Sequence, residues 1–210
     1  MGLRERAKAK GEFLELLAAS PYSDLFVLYG SGALHGVYLH ARYPEDLDFM
    51  VPEELAERLG ENPLSLGLPL KHITRDDGTV ALVYQRPGTV YPMITVTLDI
   101  KPADLAIVPA QNARFTSGIG ESFPVRSRSL EDELRQKWLS VCGRQEATDF
   151  ADVYLAGERV PELLNATRSA IYDQAALWEN YHAVKDGWDE KLEGLLLKPL
   201  AHEAVASVLE

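Results

Sequence analysis

The sequence has a single cysteine, Cys142, among 210 residues. A disulfide within the chain is excluded, and a zinc site built from cysteines is not supported. Histidine is scarce too, with five residues. None stands at a recognised ligand spacing, so His35, His40, His72, His182 and His202 read as structural or solvent-facing. No run of about 18 apolar residues occurs, so no membrane-spanning helix is expected. The opening "MGLRERAKAKGEFLELLAAS" carries charges where a secretion signal needs an unbroken apolar centre. Positive charge is in the minority: 21 Lys and Arg face 32 Asp and Glu, a net charge of −11. Sequence-independent binding to nucleic acid needs the opposite sign, which leaves room only for a local basic patch. The charge suits solubility, or a basic partner. Low-complexity tracts, internal repeats, a Walker-type loop and a Gly-x-Ser-x-Gly nucleophile setting are all missing. A soluble cytoplasmic protein is expected.

Apolar residues make up 46% of the chain, enough for a proper core. Residues 3–19 read as a helix with an apolar stripe of Phe13, Leu14, Leu16 and Leu17, ended by Ser20-Pro21. "LFVLY" (25–29) is a short buried strand, broken by Gly30-Ser31-Gly32, after which "ALHGVYLHA" continues as a short helix. "DLDFMV" (46–51) alternates like a strand, and Pro52 opens the helix "PEELAERLG". From 69 to 108 the β-branched segments "LKHIT", "TVALVYQR", "MITVTLDIK" and "DLAIV", separated by Asp-Asp-Gly and Pro-Gly turns, read as mostly antiparallel strands. "AQNARFTSGIGES" reads as a loop and "FPVRSRS" as one more strand. From Ser129 the pattern is helical, beginning with a Ser129/Asp132 capping box. "PELLNATRSAIYDQAALWENY" reads as one long helix, with two more helices behind it. Trp138, Trp178 and Trp188 fall in helical segments and read as packing residues. The expectation is an α/β (α+β) part over 1–128 and a helical bundle over 129–210.

The chemistry gathers in the first part. A strand alternates its side chains, so Asp46 and Asp48 point one way, and Leu47, Phe49 and Val51 point into the core. Two close carboxylates repel unless a cation lies between them or one is protonated. Such oxygen-rich, partly hydrated positions suit magnesium. On the strand 93–101, Met93, Thr95, Thr97 and Asp99 share a face, so Asp99 is a candidate third carboxylate. Gly30, Ser31 and Gly32 stand where strand turns to helix. Free backbone N–H groups there attract anions, and glycine lets a phosphate come close.

In the order glycine-serine turn, short helix, Asp-x-Asp, these residues resemble the nucleotidyltransferase fold of the DNA polymerase β type. Within that superfamily, "YGSGALHGVYLHARYPEDLDF", including Arg42, is similar to the first motif of the AbiEii-type toxins, among them the MenT toxins. The helical part is similar as well: "LEDELRQKWLSVCGRQEATDFADVYL" supplies Lys137, Arg144, Asp149 and Asp152, with Thr148 in place of a basic residue. The likeness spans roughly residues 25–157. It implies a mixed sheet with flanking helices, followed by a helical bundle that completes the active site. It further implies a metal-dependent enzyme transferring NMP from NTP to an RNA acceptor, the 3′ end of tRNA, as the toxin of a toxin–antitoxin pair. Asp46, Asp48 and Asp99 would bind Mg2+ or Mn2+. Gly30, Ser31, Arg42 and Lys137 would bind the nucleotide, and Asp152 would hold Lys137 or orient an acceptor. A cognate antitoxin is the implied protein partner.

Apart from the likeness, Lys137 is a lone cation in an amphipathic helix, and Asp149 and Asp152 share a helix face. Without the likeness the plain reading is a surface ion pair, placed ahead of a functional one. Arg42 and Arg144 each suit partnership with a nearby acid. Arg126, Arg128, Lys71 and Arg75 are candidate RNA contacts or a solvated basic face. Transfer to a small molecule or a protein, and a non-catalytic binding module on the same fold, are the rival readings.

Overall fold

The computed structural model describes residues 3–44, 46–76, 79–85 and 95–209, with 3, 72–76, 79, 85, 95–97 and 99 described by backbone alone. The chain divides into two compact units. One holds residues up to His40 and Pro44–Ser129; the other holds Ala41–Tyr43 and Leu130–Glu210.

In the first unit, α1 (Leu3–Ala18) buries Phe13, Leu14 and Leu17 while Leu16 stays exposed. That stripe packs on the sheet, where the Phe13 ring meets Phe49 and Tyr84 at 6.2 and 5.6 Å between centroids. The strands are β1 (Val27–Tyr29), β2 (Leu47–Val51), β3 (Leu70–Asp76), β4 (Thr79–Gln85), β5 (Thr95–Pro102), β6 (Ala110–Thr116) and β7 (Ser122–Arg128). Among the described residues they form one mixed sheet in the order β3-β4-β5-β2-β1-β7-β6. Hairpin neighbours pair antiparallel, whereas β1 with β7 and β2 with β5 run parallel. β2 alternates as its sequence demands: Leu47, Phe49 and Val51 are fully buried, and Asp48 and Met50 are half-buried. The amphipathic α3 (Glu53–Glu61) follows, with Leu55, Ala56 and Leu59 buried.

After β1, a single α-turn, α2 (Gly30–Ala33), widens into a π-turn over Leu34–Leu39. His40 ends it in the left-handed conformation, φ 49°, with its N–H on the His35 carbonyl. Gly36 lets this turn lie on Phe115 of β6: a Cβ there would stand 2.1 Å from the ring.

Three readings of the sequence are corrected in the first unit and its successor. "AQNARFTSGIGES" is not a loop, because Ala110–Thr116 pairs along its length with β7. "DLAIV" is not a strand. Asp104 bends the chain by accepting from the Ala106 N–H at 3.0 Å, and Ile107 is left exposed. The segment 161–181 is not one helix: α6 (Pro161–Ala166) stops, and Asp173 caps a fresh start by accepting from the Ala176 N–H at 2.9 Å. Met93 and the turns at Asp77-Gly78 and Pro87-Gly88 lie outside the described residues.

The second unit comprises α4 (Leu130–Gly143), α5 (Ala147–Arg159), α6, α7 (Gln174–Ala183), α8 (Trp188–Leu192) and α9 (His202–Leu209). Its core includes Leu134, Trp138, Val141, Phe150, Val153, Leu164, Leu177 and Val205. His202 stacks on Tyr181 at 4.2 Å, and the two exchange side-chain to carbonyl hydrogen bonds. Residues 41–43 add a backbone bridge from Arg42 to Leu196 and a hydrogen bond from the Tyr43 N–H to Leu195.

Candidate active site

The first unit brings the glycine turn onto Asp48. β1 and β2 pair Tyr29 with Asp48, so Gly30 is the next residue beyond that pair. Gly30 sits at φ +67°, and a Cβ on it would lie 2.7 Å from Asp48 Oδ2. Glycine is required twice here, once for the left-handed backbone and once for the space. On the other side of β2 the parallel register sets Asp48 against Asp99 of β5. Asp99 is described by its backbone, and its side chain lies outside the described residues. Asp46 precedes β2 in a bend and is half-buried. Its approach is anchored from α1, where the buried Lys10 ammonium donates to the Pro44 carbonyl. Ser31 is half-buried in α2.

Carboxylates at 46, 48 and 99, if brought together, would make a hard, oxygen-only donor set. It suits Mg2+ or Mn2+ rather than zinc. The bare Gly30 α-carbon lets the Asp48 carboxylate close onto the turn, into the place a side chain would need. Among the described residues no three His, Cys, Asp or Glu side chains cluster tightly enough to hold a metal on their own.

The second unit holds a chain of alternating charges. Asp149 and Asp152 are three apart on α5 and face the same way, both buried. Lys137 of α4 reaches both, at 2.7 Å from Asp149 Oδ1 and 2.8 Å from Asp152 Oδ2. Arg42 grips Asp152 with two donors, Nε to Oδ1 at 2.5 Å and Nη2 to Oδ2 at 3.0 Å. Arg144 donates through Nε to Asp149 Oδ2 at 2.6 Å, and its side chain is 60% exposed. Burial alone would lower the Lys137 pKa, but Asp152 and Asp149 outweigh it and hold the ammonium above its ordinary value. The hydrogen bond to Asp149 likewise raises Arg144.

A family model described as the nucleotidyl transferase AbiEii toxin of type IV toxin–antitoxin systems matches residues 12–199. The chain belongs to the AbiEii nucleotidyltransferase toxin family. The nucleotidyltransferase toxin MenT4 of Mycobacterium tuberculosis has a similar structure, with a TM-score of 0.65 at 18% identity over 97% of this chain and 80% of that one. JHP933 of Helicobacter pylori is similar at a TM-score of 0.60 and 19% identity, over 99% of this chain and 88% of that one. No curated protein matches significantly. As an AbiEii nucleotidyltransferase the chain takes an NTP as substrate, and an antitoxin is its implied partner.

Of the AbiEii residues read from the sequence, Gly30 and Asp48 adjoin, with Asp99 in register. Arg42, Lys137, Asp149, Asp152 and Arg144 form the second cluster. Arg126 is engaged by donating to the Asp24 carbonyl at 2.5 Å, and Lys71 is exposed. The Arg75 side chain lies outside the described residues. Lys10 was not singled out by the sequence reading. Its signal was a lysine on the same helical stripe as Phe13, Leu14 and Leu17.

Proposed function

We propose that this nucleotidyltransferase moves a nucleoside monophosphate from NTP to the 3′ end of a tRNA, in the cytoplasm and with Mg2+ or Mn2+. The observation that carries the reading is the bare α-carbon of Gly30 over the Asp48 carboxylate, with Asp99 in register beside it. Gly30 lets the turn and the Asp48 carboxylate come together, so that a phosphate held at the turn would lie beside that carboxylate, and Ser31 would add a hydroxyl donor to the β- and γ-phosphates. Asp46, Asp48 and Asp99 would hold the divalent ion, which when bound neutralises phosphate charge and lowers the pKa of the attacking hydroxyl.

The acceptor 3′-oxygen forms a bond to the α-phosphorus, the bond from that phosphorus to the bridging oxygen breaks, and pyrophosphate leaves. Asp99 is assigned to accept the hydroxyl proton. Catalysis here is positioning and electrostatics rather than covalent chemistry on the protein. Lys137, with Asp152 orienting it, is assigned to bind phosphate as a point charge. Arg42, bound at both Asp152 oxygens, is assigned to orient that aspartate rather than to touch nucleotide.

The test incubates the protein with each labelled NTP and total tRNA, with and without Mg2+, on a denaturing gel. Label on tRNA that needs both Mg2+ and Asp48 supports the reading. Label on protein or a small molecule moves the acceptor, and an Asp48→Asn variant with wild-type turnover overturns the site.

A further inference from the structure

The chain carries 32 Asp and Glu in 210 residues, yet β6 and β7 hold none between them. They hold three arginines, and the pairing puts all three on one face. Arg114 stands opposite Pro124, Asn112 opposite Arg126 and Ala110 opposite Arg128, and positions two apart on a strand share a face. The other face of the hairpin carries Phe115 and Phe123, which lie against Gly36 and against Gly11 of α1. The arginine face is open: Asn112, Arg114 and Pro124 are exposed, and Arg126 is half-buried.

Register joins this face to Asp48. Arg126 pairs with Val27, Val27 with Met50, and Tyr29 with Asp48. Val27 and Tyr29 are two apart on β1, so Arg126 and Asp48 share one face of the sheet. Strand spacing and rise set their α-carbons about 12 Å apart.

Arg114 and Arg126 bind neutral oxygens. Arg114 donates to the Ser122 hydroxyl and carbonyl, each at 2.8 Å, and Arg126 to the Asp24 carbonyl at 2.5 Å. A guanidinium has five N–H donors, so each keeps some for an anion. Asp24 also shares with Arg126 the wall of a cavity of about 310 Å3, but the two make no ion pair among the described residues. A chain of net charge −11 repels a polyanion over most of its surface, so RNA needs a patch from which acids are missing.

We propose that the β6–β7 hairpin holds the acceptor RNA, with Arg114 and Arg126 on its backbone phosphates and its 3′ end directed across β1 to Asp48. This rests on the reading of RNA as the acceptor. Phosphate contacts position a strand and carry no sequence information, so the hairpin places the acceptor without choosing it.

The experiment measures kcat, separate KM values for tRNA and NTP, and thermal melts for Arg114→Gln, Arg126→Gln and Arg6→Gln. Arg6 is exposed on α1, away from the hairpin's open face. Each hairpin variant is expected to raise KM for tRNA about fivefold, the worth of one exposed charge pair, and to leave KM for NTP unchanged. The salt slope of tRNA binding should fall by about one for each arginine removed. Arg114→Lys, which keeps the charge, should restore most of the KM, and Arg6→Gln should change none of these. Unchanged KM for tRNA with normal melts overturns the proposal. A raised KM for NTP gives the arginines to the triphosphate and overturns it too, and an equal loss in Arg6→Gln reduces the effect to net charge. Where Arg126→Gln melts early for want of its Asp24 contact, Arg114→Gln decides.

Equilibrium binding without NTP separates the layers, with tRNA and poly-glutamate as the probes. Poly-glutamate that binds the hairpin as tightly as tRNA makes the patch a site for acidic protein and overturns the RNA assignment. A wild type that labels tRNA, beside variants that bind tRNA normally, sinks this inference alone. A wild type that labels no RNA overturns the acceptor reading and this inference with it.

Discussion

The α-carbon of Gly30 stands over the carboxylate of Asp48, so close that a methyl group on it would lie 2.7 Å from Oδ2. Gly30→Ala must therefore displace Asp48 as well as hold a left-handed backbone at φ +67°. The backbone costs about 1–2 kcal/mol. A shift of about 1 Å at a reacting group costs about a hundredfold in rate. Gly67 is the control: it has φ +72° with nothing within 4 Å of an added Cβ. Steady-state kinetics and urea melts on both variants should show similar stability losses and a rate loss in Gly30→Ala alone. Equal activities would remove Gly30 from the site.

Asp152 lies between Arg42 and Lys137, and all three are buried. Removing the shared anion leaves two buried cations without it, and breaking such a pair costs about 3–5 kcal/mol. Asp152→Ala should lose that much in urea unfolding at neutral pH. An exposed pair offers the contrast: Arg135 and Glu131, four apart on α4 and both about half-exposed, should yield less than about 1 kcal/mol when Glu131 is replaced by Ala. A loss in Asp152→Ala as small as that of Glu131→Ala would contradict the burial argument.

The core of the site was legible because its signals are local. The Leu47/Phe49/Val51 alternation announced β2 and its exposed-side aspartate, and Gly30-Ser31-Gly32 announced the turn. The register that sets Asp48 against Asp99 was not legible, since β2 and β5 are about 50 residues apart and pair by a parallel crossover. Asp104 misled in the other direction: "DLAIV" has strand composition, yet a side-chain turn outbids it. Ala110–Thr116 reads as a loop because its polar residues belong to the outermost strand, half of it facing solvent. In the helical part the sequence put Asp149 and Asp152 on one face and named Lys137 for Asp152, a contact present at 2.8 Å; that Lys137 also reaches Asp149, and which acid Arg42 and Arg144 each hold, was not legible.

The raised Lys137 pKa ties stability to alkaline pH. A group whose folded value lies above its unfolded value contributes stability that is fully present below the unfolded value. For Lys137 that means below its ordinary 10.5, with the contribution lost as pH rises through the folded value. Tyr181, raised by burial from 10.0, acts in the same direction from slightly lower pH. Urea unfolding from pH 8 upward should therefore show a stability loss beyond pH 10.5 that shrinks in Lys137→Met and persists in Tyr181→Phe. The same slope in wild type and Lys137→Met would mean that the ammonium is not held by its aspartates.

Lys10 gives the last prediction, because its contact lies two residues before Asp46. Its ammonium is buried and donates to the Pro44 carbonyl. Hydrogen bonds from charged donors are worth about 1.5–3 kcal/mol, which is enough to fix the loop from which Asp46 emerges. Lys10→Met fills the same space without the donor, so the helix should remain while the loop loosens. Turnover should fall by about tenfold or more, the equivalent of about 1.4 kcal/mol. Lys8→Met, on the exposed face of the same helix, should leave turnover unchanged. Wild-type turnover in Lys10→Met, with a normal melt, would show that the loop holds Asp46 without help from α1.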